Sequence, residues 1–436
     1  MTTAWRALER HWFAPASLDD LAIVRIVLVG AQLFVFLPSL DRQLWLLGTD
    51  PSLYVPIPTL KVMLLPFGGW GIRPDAAVLT ALWYLGVLTG IAALLGTFTR
   101  LSLLGFAATN TLLIAHAYSY GQRHHPEAVM VMALWVLALA PVGARWSWDE
   151  IRSRVRASVR TGQFAPPLGT DAMSELARWP LRVIQWLLVL VYFSAGLSKL
   201  VSAGPDWLNG HTLTYYLVQD GLNKGVPLGL WLAEHPMAVR GLSVVALAFE
   251  LSFAFAILVP RLTWGYVALG AVLHLGIWFT MQANFFQYIF VYVAFVETLR
   301  TRTPVRLATP ASQRHWTVVY DGLCGLCVRS MVILDYLDLK RRLRSVDFER
   351  NWGTAAALIP DLTMERARHA MLVVTPDGRV HSGFFAFRAV ARAVPLLWPV
   401  LPLFYAPLAN RIGPWAYGQI ASRRSRHVCS TSTCCR

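Results

Sequence analysis

The stretch Leu181–Leu200, LRVIQWLLVLVYFSAGLSKL, is an apolar run that is long enough to cross a membrane as a helix and that ends on a lysine. At 100° per residue, Gln185, Tyr192, Gly196 and Lys199 fall close to one stripe of that helix. A stripe of polar and small residues predicts a face turned towards a cavity or another helix. The lysine itself is either a snorkelling anchor or a working amine, and composition alone does not separate the two.

The rest of the chain has the composition of an integral membrane protein. Of its 436 residues, 56% are hydrophobic and only 14% are charged, against about 25% in soluble domains. The net charge of +15 comes mostly from arginine, and it is better explained by the excess of basic residues in the cytoplasmic loops of membrane proteins than by nucleic-acid binding. Apolar runs predict a polytopic helical bundle of about eight spans, at 21–38, 76–96, 101–119, 127–143, 181–201, 239–259, 262–281 and 284–300.

The arginines predict the orientation of these spans. They gather before the first span, after the fourth and after the eighth, all of which fall on one side. We therefore expect a multi-pass protein of the cell membrane with a cytoplasmic N-terminus and a cytoplasmic C-terminal region. The opposite side receives two longer loops, 39–75 and 202–238, whose prolines, glycines and aromatic residues are typical of interfacial or re-entrant segments.

After residue 300 the pattern becomes that of a small α/β domain. RHWTVVYDGLCGLC (314–327) predicts a strand, a turn and a helix over Cys327–Leu339, RRLRSVDF (341–348) a second strand, and HAMLVVTPDGRVHSG (369–383) a hairpin. Four prolines argue against a ninth span at 394–408, though not against a membrane-surface segment. The predicted divisions are a membrane domain at 1–300, a linker at 301–314, a redox domain at 315–428 and a cysteine-containing tail at 429–436.

Several ionisable residues fall within or beside the predicted spans: Arg25, Glu250, His274 and the pair His124 and His125. Such residues are functional candidates because charge is costly in lipid. Each also has a structural interpretation. Arg25 and Glu250 could form an ion pair, the histidine pair could be wet loop residues, and His274 could be a hydrogen-bonded packing residue.

Residues 10–300 resemble the vitamin K-dependent γ-carboxylase and its bacterial relatives, the horizontally transferred transmembrane families. The similar segments are QWLLVLVYFSAGLSKL with the following DWLNG, SLDDLAIVRIVLVG, RHHPEAVMVMALWVLALAP and LHLGIWFTMQANFFQYIFV. The resemblance implies a lipid-soluble quinone or hydroquinone cofactor, vitamin K-like, which Lys199 deprotonates as a base. It places His125 in the catalytic site and Arg25 and His274 among the supporting residues, to which we add Tyr192 and Glu250.

The resemblance has two departures. The chain lacks the large lumenal domain of the animal carboxylase, and His124 stands where asparagine is expected. A lysine acts as a base only where desolvation disfavours its charged form, and a membrane-edge pocket supplies that desolvation. The resemblance therefore implies a pocket for a lipid-soluble quinone more than it implies carboxylation of glutamate.

Cys324 and Cys327 form a C-x-x-C pair at the start of the predicted helix in the C-terminal domain. A helix N-terminus stabilises a thiolate, so we expect Cys324 to be the more alkylatable cysteine and Cys327 to resolve mixed disulfides. Half of a zinc site, completed by Cys429, Cys434 and Cys435, is the alternative, although we expect no metal.

The wider pattern Tyr320-Asp321-Gly322-x-Cys-x-x-Cys resembles the DCC family of thiol–disulfide oxidoreductases over about residues 315–428. That resemblance implies a thioredoxin-like fold and a redox-active disulfide between Cys324 and Cys327. Asp321 is then a helix-cap residue or a proton acceptor for the buried thiol.

Two functions follow from these patterns. The first is a membrane oxidoreductase with a carboxylase-like, quinol-binding pocket and a fused thiol–disulfide domain. The second is a non-catalytic membrane anchor or peptide-maturation partner in which only the C-x-x-C domain is redox-active. Both predict the lipid bilayer and a thiol-containing protein as partners, and neither predicts nucleic acid.

Overall fold

The computed structural model describes residues 3–64, 73–121, 125–161, 172–298, 315–338 and 340–422. Its chain divides into two compact units, Met1–Asp149 with Thr170–Val305, and Glu150–Gly169 with Arg306–Arg436. The predicted linker 301–314 and the predicted tail 429–436 both lie outside the described residues.

The first unit is built from helices, most of them strongly apolar. Up to residue 298 the helices of the chain are α1 Thr3–Phe13, α2 Leu18–Ala31, α3 Leu40–Leu47, α4 Pro58–Leu64, α5 Ala76–Leu95, α6 Thr99–Tyr118, α7 His125–Leu139, α8 Trp148–Thr161, α9 Arg178–Ala203, α10 His211–Lys224, α11 Pro227–Ala233, α12 Pro236–Ser252, α13 Phe255–Leu258, α14 Thr263–Met281 and α15 Phe286–Val291. Two short strands, β1 Ala16–Ser17 and β2 Met173–Ser174, pair antiparallel.

Within the described residues, four helical segments are long and apolar enough to span a membrane: α5, α6, α14, and α9 together with the turn before it. Two bent pairs raise the number to six, α2 with α3 at 50° and α11 with α12 at 100°. Pro236, the first residue of α12, explains the sharper bend because a proline restricts the residue before it to non-helical backbone. The count of about eight spans stays a prediction, since α7 and α15 are too short to pass by length.

The two segments predicted as long loops contain helices. Residues 39–75 hold α3 and α4, and residues 202–238 hold α10 and α11 with the start of α12. Residues that typically cap helices mark the ends of these short helices: Ser39 caps the start of α3, and Gly225, in a left-handed conformation, follows the end of α10.

The predicted polar stripe lies on the buried face of α9. Gln185, Tyr192 and Gly196 are buried together with leucines such as Leu188, whereas Leu190 on the opposite face is 63% exposed. The helix therefore presents its polar stripe to neighbouring helices of the same unit and an apolar face outward, as a helix at the lipid boundary does.

The second unit contains a four-stranded sheet in the order β4-β3-β5-β6. Its strands are β3 Trp316–Tyr320, β4 Leu343–Asp347, β5 Leu372–Val374 and β6 Val380–Ser382, and its helices after residue 315 are α16 Gly325–Leu337, α17 Trp352–Leu358, α18 Met364–His369, α19 Phe384–Ala393 and α20 Ala409–Ala421. The strand β3 runs parallel to β4 and antiparallel to β5, which in turn runs antiparallel to β6. The predicted strands and the predicted hairpin are confirmed.

Alternation along β3 covers both faces of this sheet with apolar side chains. Val318 and Tyr320 pack in one buried cluster with residues of α16 and α19, and Val319 packs in another with Val346 and Phe348. A proline-rich 3-10 segment, Pro395–Tyr405, follows α19 and is too short to span a membrane. The C-x-x-C motif lies where β3 ends and α16 begins.

Candidate functional site

The C-x-x-C motif forms the N-terminus of α16. Cys324 is the N-cap of the helix, and its sulfur accepts a hydrogen bond from the Cys327 backbone N–H at 3.4 Å. The helix consequently begins at Gly325, two residues before the predicted start, because the cysteine itself caps it. The two cysteines are not joined by a disulfide.

Exposure separates the two thiols. Cys324 is completely buried, whereas Cys327 is partly exposed. The sequence predicts Cys324 as the first cysteine to react, but these exposures favour Cys327 as the first to meet a substrate, because a thiolate must be accessible to attack. The assignment of the two chemical roles stays a prediction.

Two carboxylates shape the loop that carries the cysteines. Asp321 accepts from the Leu323 N–H at 2.9 Å, and its backbone carbonyl accepts from the Cys324 N–H at 3.2 Å. Asp347, at the end of β4, accepts from the Gly322 N–H at 3.1 Å. Asp321 therefore forms a turn before the helix and does not cap it, which corrects the helix-cap interpretation.

Buried ionisable groups lie next to this loop. Burial raises the pKa of Asp347, which makes its charged form costly. Burial, with the nearby Asp347 charge, also raises the pKa of Tyr320 to about 12, and Cys327 contributes to the same shift. Tyr320 is consequently a neutral phenol at physiological pH, close enough to Cys327 to respond to its charge.

A cavity of about 460 Å³ opens beside the loop. Its wall includes the buried Asp321 and, from α18, the exposed Arg368 and His369. Tyr417 of α20 closes another side and is fixed there, since its hydroxyl accepts from the Met371 N–H at 3.1 Å. The cavity can therefore hold a polar segment next to the cysteine loop.

The membrane unit holds a hydroxyl and imidazole cluster around Tyr192. The Tyr192 hydroxyl lies 2.7 Å from Nε2 of His274 and 2.5 Å from the hydroxyl of Tyr292. The Tyr288 ring stacks on His274, with ring centroids 5.0 Å apart. Gly270 provides the room, because a Cβ there would lie 2.1 Å from the Tyr292 hydroxyl. The structure thus brings together two predicted residues and adds two tyrosines that the sequence reasoning missed.

Lys199 forms an ion pair. Its ammonium lies 2.6 and 2.7 Å from the two carboxylate oxygens of Glu250, and it sits 5.0 Å from the centre of the Trp207 ring. The side chains of Lys199 and Glu250 are 22% and 12% exposed. Gly196, one turn before the lysine, lets α12 approach closely, since a Cβ there would lie 3.2 Å from Cβ of Glu250. The geometry is that of a direct ion pair between Lys199 and Glu250.

Arg25 is separate from that pair. Its guanidinium donates to the carbonyl of Val142 at 2.9 Å and to the carbonyl of Trp146. The suggested pairing of Arg25 with Glu250 is therefore wrong, because Glu250 has Lys199 as its partner and Arg25 satisfies carbonyls that follow α7. Complete burial of Arg25 suits this structural role.

A second charged network was missed by the sequence reasoning. Gln185 donates to the Ala294 carbonyl at 2.7 Å and accepts from Arg182 at 2.7 Å, and Arg182 pairs with Glu297 at 3.0 Å. The sequence contains one signal for this network: Arg182 and Gln185 are three residues apart on one helix, a spacing at which two side chains are neighbours.

Two earlier predictions are not addressed by the described residues. His124 lies outside them, and His125 is described only as the first residue of α7, without its side chain. In the described ranges no group of three histidine, cysteine, aspartate or glutamate side chains could hold a metal ion. The cysteines that the zinc alternative needs, at positions 429, 434 and 435, lie outside those ranges.

Comparison with protein families finds two matches. A model of the lipase maturation factor transmembrane domain matches residues 73–303, and a model of the DCC1-like thiol-disulfide oxidoreductase matches residues 318–430. The second match confirms the resemblance of the C-terminal domain. The resemblance of the membrane domain to the carboxylase family stays a prediction. Comparisons with curated proteins and with solved structures find no significant match.

Proposed function

We propose that this chain, which belongs to the lipase maturation factor transmembrane domain family and carries a DCC1-like thiol-disulfide oxidoreductase domain, exchanges disulfides in a protein undergoing maturation. The membrane unit anchors the redox domain at the bilayer and presents it to a cysteine-containing protein partner. The observation that carries the proposal is the placement of both cysteines at the start of α16, with the Cys324 sulfur 3.4 Å from the Cys327 N–H.

The fold supports this chemistry. A βαβ unit followed by a β-hairpin and a helix, with strand order β4-β3-β5-β6, is the arrangement of a thioredoxin-like domain. In that arrangement the helix after the first strand directs its N-terminal N–H groups at the cysteines. Those groups and the helix dipole favour a thiolate there.

Cys327 is the attacking thiol in the proposed exchange, since it is the accessible one. Its thiolate attacks one sulfur of a substrate disulfide, forming a mixed disulfide and releasing the other substrate sulfur as a thiolate. The Cys324 thiol then loses its proton and attacks the mixed disulfide. A Cys324–Cys327 disulfide and a reduced substrate result, so two electrons and two protons have passed to the substrate.

Trapping of mixed disulfides tests the proposal. With Cys429, Cys434 and Cys435 replaced by serine as background, Cys324→Ser should accumulate mixed disulfides on Cys327, because the resolving thiol is absent. Cys327→Ser should accumulate few, because the remaining thiol is buried. Equal absence of trapped species in both variants, with the domain folded, contradicts the proposed exchange, and accumulation in Cys327→Ser alone reverses the two roles.

A second candidate function is proton transfer on a lipid-soluble hydroxyl compound such as a quinol, as in the γ-carboxylase resemblance. The Tyr192–His274 contact favours it, because a phenol at 2.7 Å from an imidazole can relay a proton. Lys199, bound to Glu250, would serve as the base only after it loses its proton. Quinol oxidation by purified protein that survives Lys199→Ala and His274→Ala contradicts this function.

We also propose that the protein lies in the cell membrane, with its N-terminus and its redox domain in the cytoplasm. It rests on the arginine distribution. In the cytoplasm the cysteine pair would be held reduced, and the exchange would run in the direction of substrate reduction.

A further inference from the structure

The last part of the C-terminal domain exposes an unusual amount of apolar side chain. Eight large residues on Pro395–Tyr405 and around α20 are each more than half exposed: Leu396, Trp398, Leu403, Tyr405, Leu408, Ile412, Trp415 and Ile420. We call these eight residues the C-terminal apolar face. Soluble proteins rarely expose contiguous apolar patches beyond a few hundred Å², and larger patches mark interaction sites.

The α20 members of this face lie on one side of the helix. Relative to Ile412, Trp415 is displaced by 60° in one direction and Ile420 by 80° in the other, at 100° per residue. The 3-10 segment packs against both α19 and α20. The exposed residues are therefore a surface of an ordered element, and the helix is amphipathic rather than apolar all round.

The stretch of chain that carries the face has charges of one sign. From Gly378 to the end of the chain there is no aspartate or glutamate, whereas arginines recur throughout. The Arg388 guanidinium lies 4.8 Å from the centre of the Phe385 ring and 5.0 Å from that of Tyr405, at the edge of the face. Arg411 is exposed on α20.

We propose that the C-terminal apolar face docks the redox domain onto the surface of a bilayer that contains anionic lipid. Tryptophan and tyrosine with flanking arginines on an amphipathic element are the composition that prefers the membrane–water interface. Each arginine near an anionic surface adds attraction, and the acid-free stretch removes the opposing repulsion. Four prolines in and beside the segment keep it from becoming a spanning helix, so it lies on the membrane. This assignment is independent of the redox chemistry proposed above.

Photo-crosslinking from the lipid tests the docking. The full chain is placed in nanodiscs with phosphatidylcholine that carries an acyl-chain diazirine, with or without phosphatidylglycerol, and cross-linked peptides are mapped by mass spectrometry. We expect lipid adducts on residues 395–421 that increase with phosphatidylglycerol. Arg411→Glu should lower the ratio of docked to undocked domain about thirtyfold in the anionic discs, since it changes the charge by two units.

The matched control is Arg344→Glu, which makes the same charge change at an exposed position of β4. It should leave the adducts on 395–421 unchanged. Leu403→Asn should lower them in both kinds of disc, because it removes apolar surface without altering charge. Absence of lipid adducts on 395–421 in both kinds of disc overturns the proposal.

Discussion

Gly322→Ala is the substitution that the structure predicts to disturb the cysteine loop most directly. A Cβ at this position would lie 2.0 Å from Oδ2 and 2.4 Å from Cγ of Asp347, inside the 3.0 Å that real Cβ contacts respect. The Gly322 backbone does not have a left-handed φ, so the contact with Asp347, and not backbone strain, carries the whole effect.

The cost follows from two losses. Overpacking of a well-packed site costs about 1–3 kcal/mol. Displacement of the carboxylate also removes the hydrogen bond from the Gly322 N–H, worth about 1 kcal/mol. The free energy of opening the loop should therefore fall by about 2–4 kcal/mol, which corresponds to opening that is about 30- to 900-fold more populated.

Two measurements on the full chain in detergent report that opening. Amide hydrogen exchange of peptides covering Trp316–Tyr320 and Gly325–Leu337 should accelerate by this factor. Alkylation of Cys324 should accelerate in parallel, because the thiol is buried and reacts only when the loop opens. Gly353→Ala is the matched control, since a Cβ on that α17 residue meets nothing within 4 Å. It should leave the loop unchanged and make α17 more stable by up to about 1 kcal/mol.

Asp347→Ala provides the internal check on the cause. In that background the carboxylate atoms that the added methyl group would meet are gone, so the further effect of Gly322→Ala should be small. Equal exchange rates in Gly322→Ala and the unaltered chain, or a full additive penalty in the double variant, would refute the contact with Asp347 as the cause.

Three further predictions concern buried groups in both units. Lys199→Ala and Glu250→Ala should each lower the free energy of unfolding in mixed micelles by about 2 kcal/mol, a value between those typical of exposed and of buried ion pairs. If the penalties of the two substitutions add in the double variant, the ion pair is contradicted. Gly270→Ala should cost about 1–3 kcal/mol by pushing against Tyr292, and an unchanged unfolding midpoint would contradict that contact. Burial raises the pKa of Asp347, so its stabilising contribution is full below the ordinary value of 3.8 and is lost as pH rises through the folded pKa. Asp347→Asn stays neutral, so hydrogen exchange of the C-terminal domain should slow relative to the unaltered chain as pH rises above about 4, and a pH-independent difference would contradict this.

The C-terminal domain could be predicted closely because its signals are local. A β-branched run before a turn, and a Pro-Asp-Gly turn between two apolar runs, each specify structure within about fifteen residues. The predicted start of α16 is two residues too late, because the cap is Cys324 and cysteine is not among the residue types by which caps are recognised. Which thiol is buried depends on packing around the loop, and no sequence pattern contains that information.

The membrane unit shows the opposite balance. Apolar length located its longer apolar helices but not the helices in the predicted loops, and the polar stripe of α9 predicted the buried face. The partners of those polar residues were not predictable, since Glu250 is 51 residues from Lys199 and Val142 is 117 residues from Arg25. Tyr288 and Tyr292 could not be singled out in the sequence, because aromatic residues in an apolar run have the pattern of core packing. Only their contacts in the folded protein, with His274 and Tyr192, distinguish them from other core residues.

The ion pair of Lys199 separates the two candidate functions. A lysine that donates to both carboxylate oxygens of Glu250, at 2.6 and 2.7 Å, is engaged in an ion pair, and this contact must break before the amine can accept a proton from a substrate. The accessible Cys327 needs no such preparation beyond ionisation at a helix N-terminus. Disulfide exchange by the full chain should therefore survive Lys199→Ala if the variant folds and should be abolished by Cys327→Ser. Loss of exchange in a folded Lys199→Ala protein would instead make the membrane unit part of the redox chemistry.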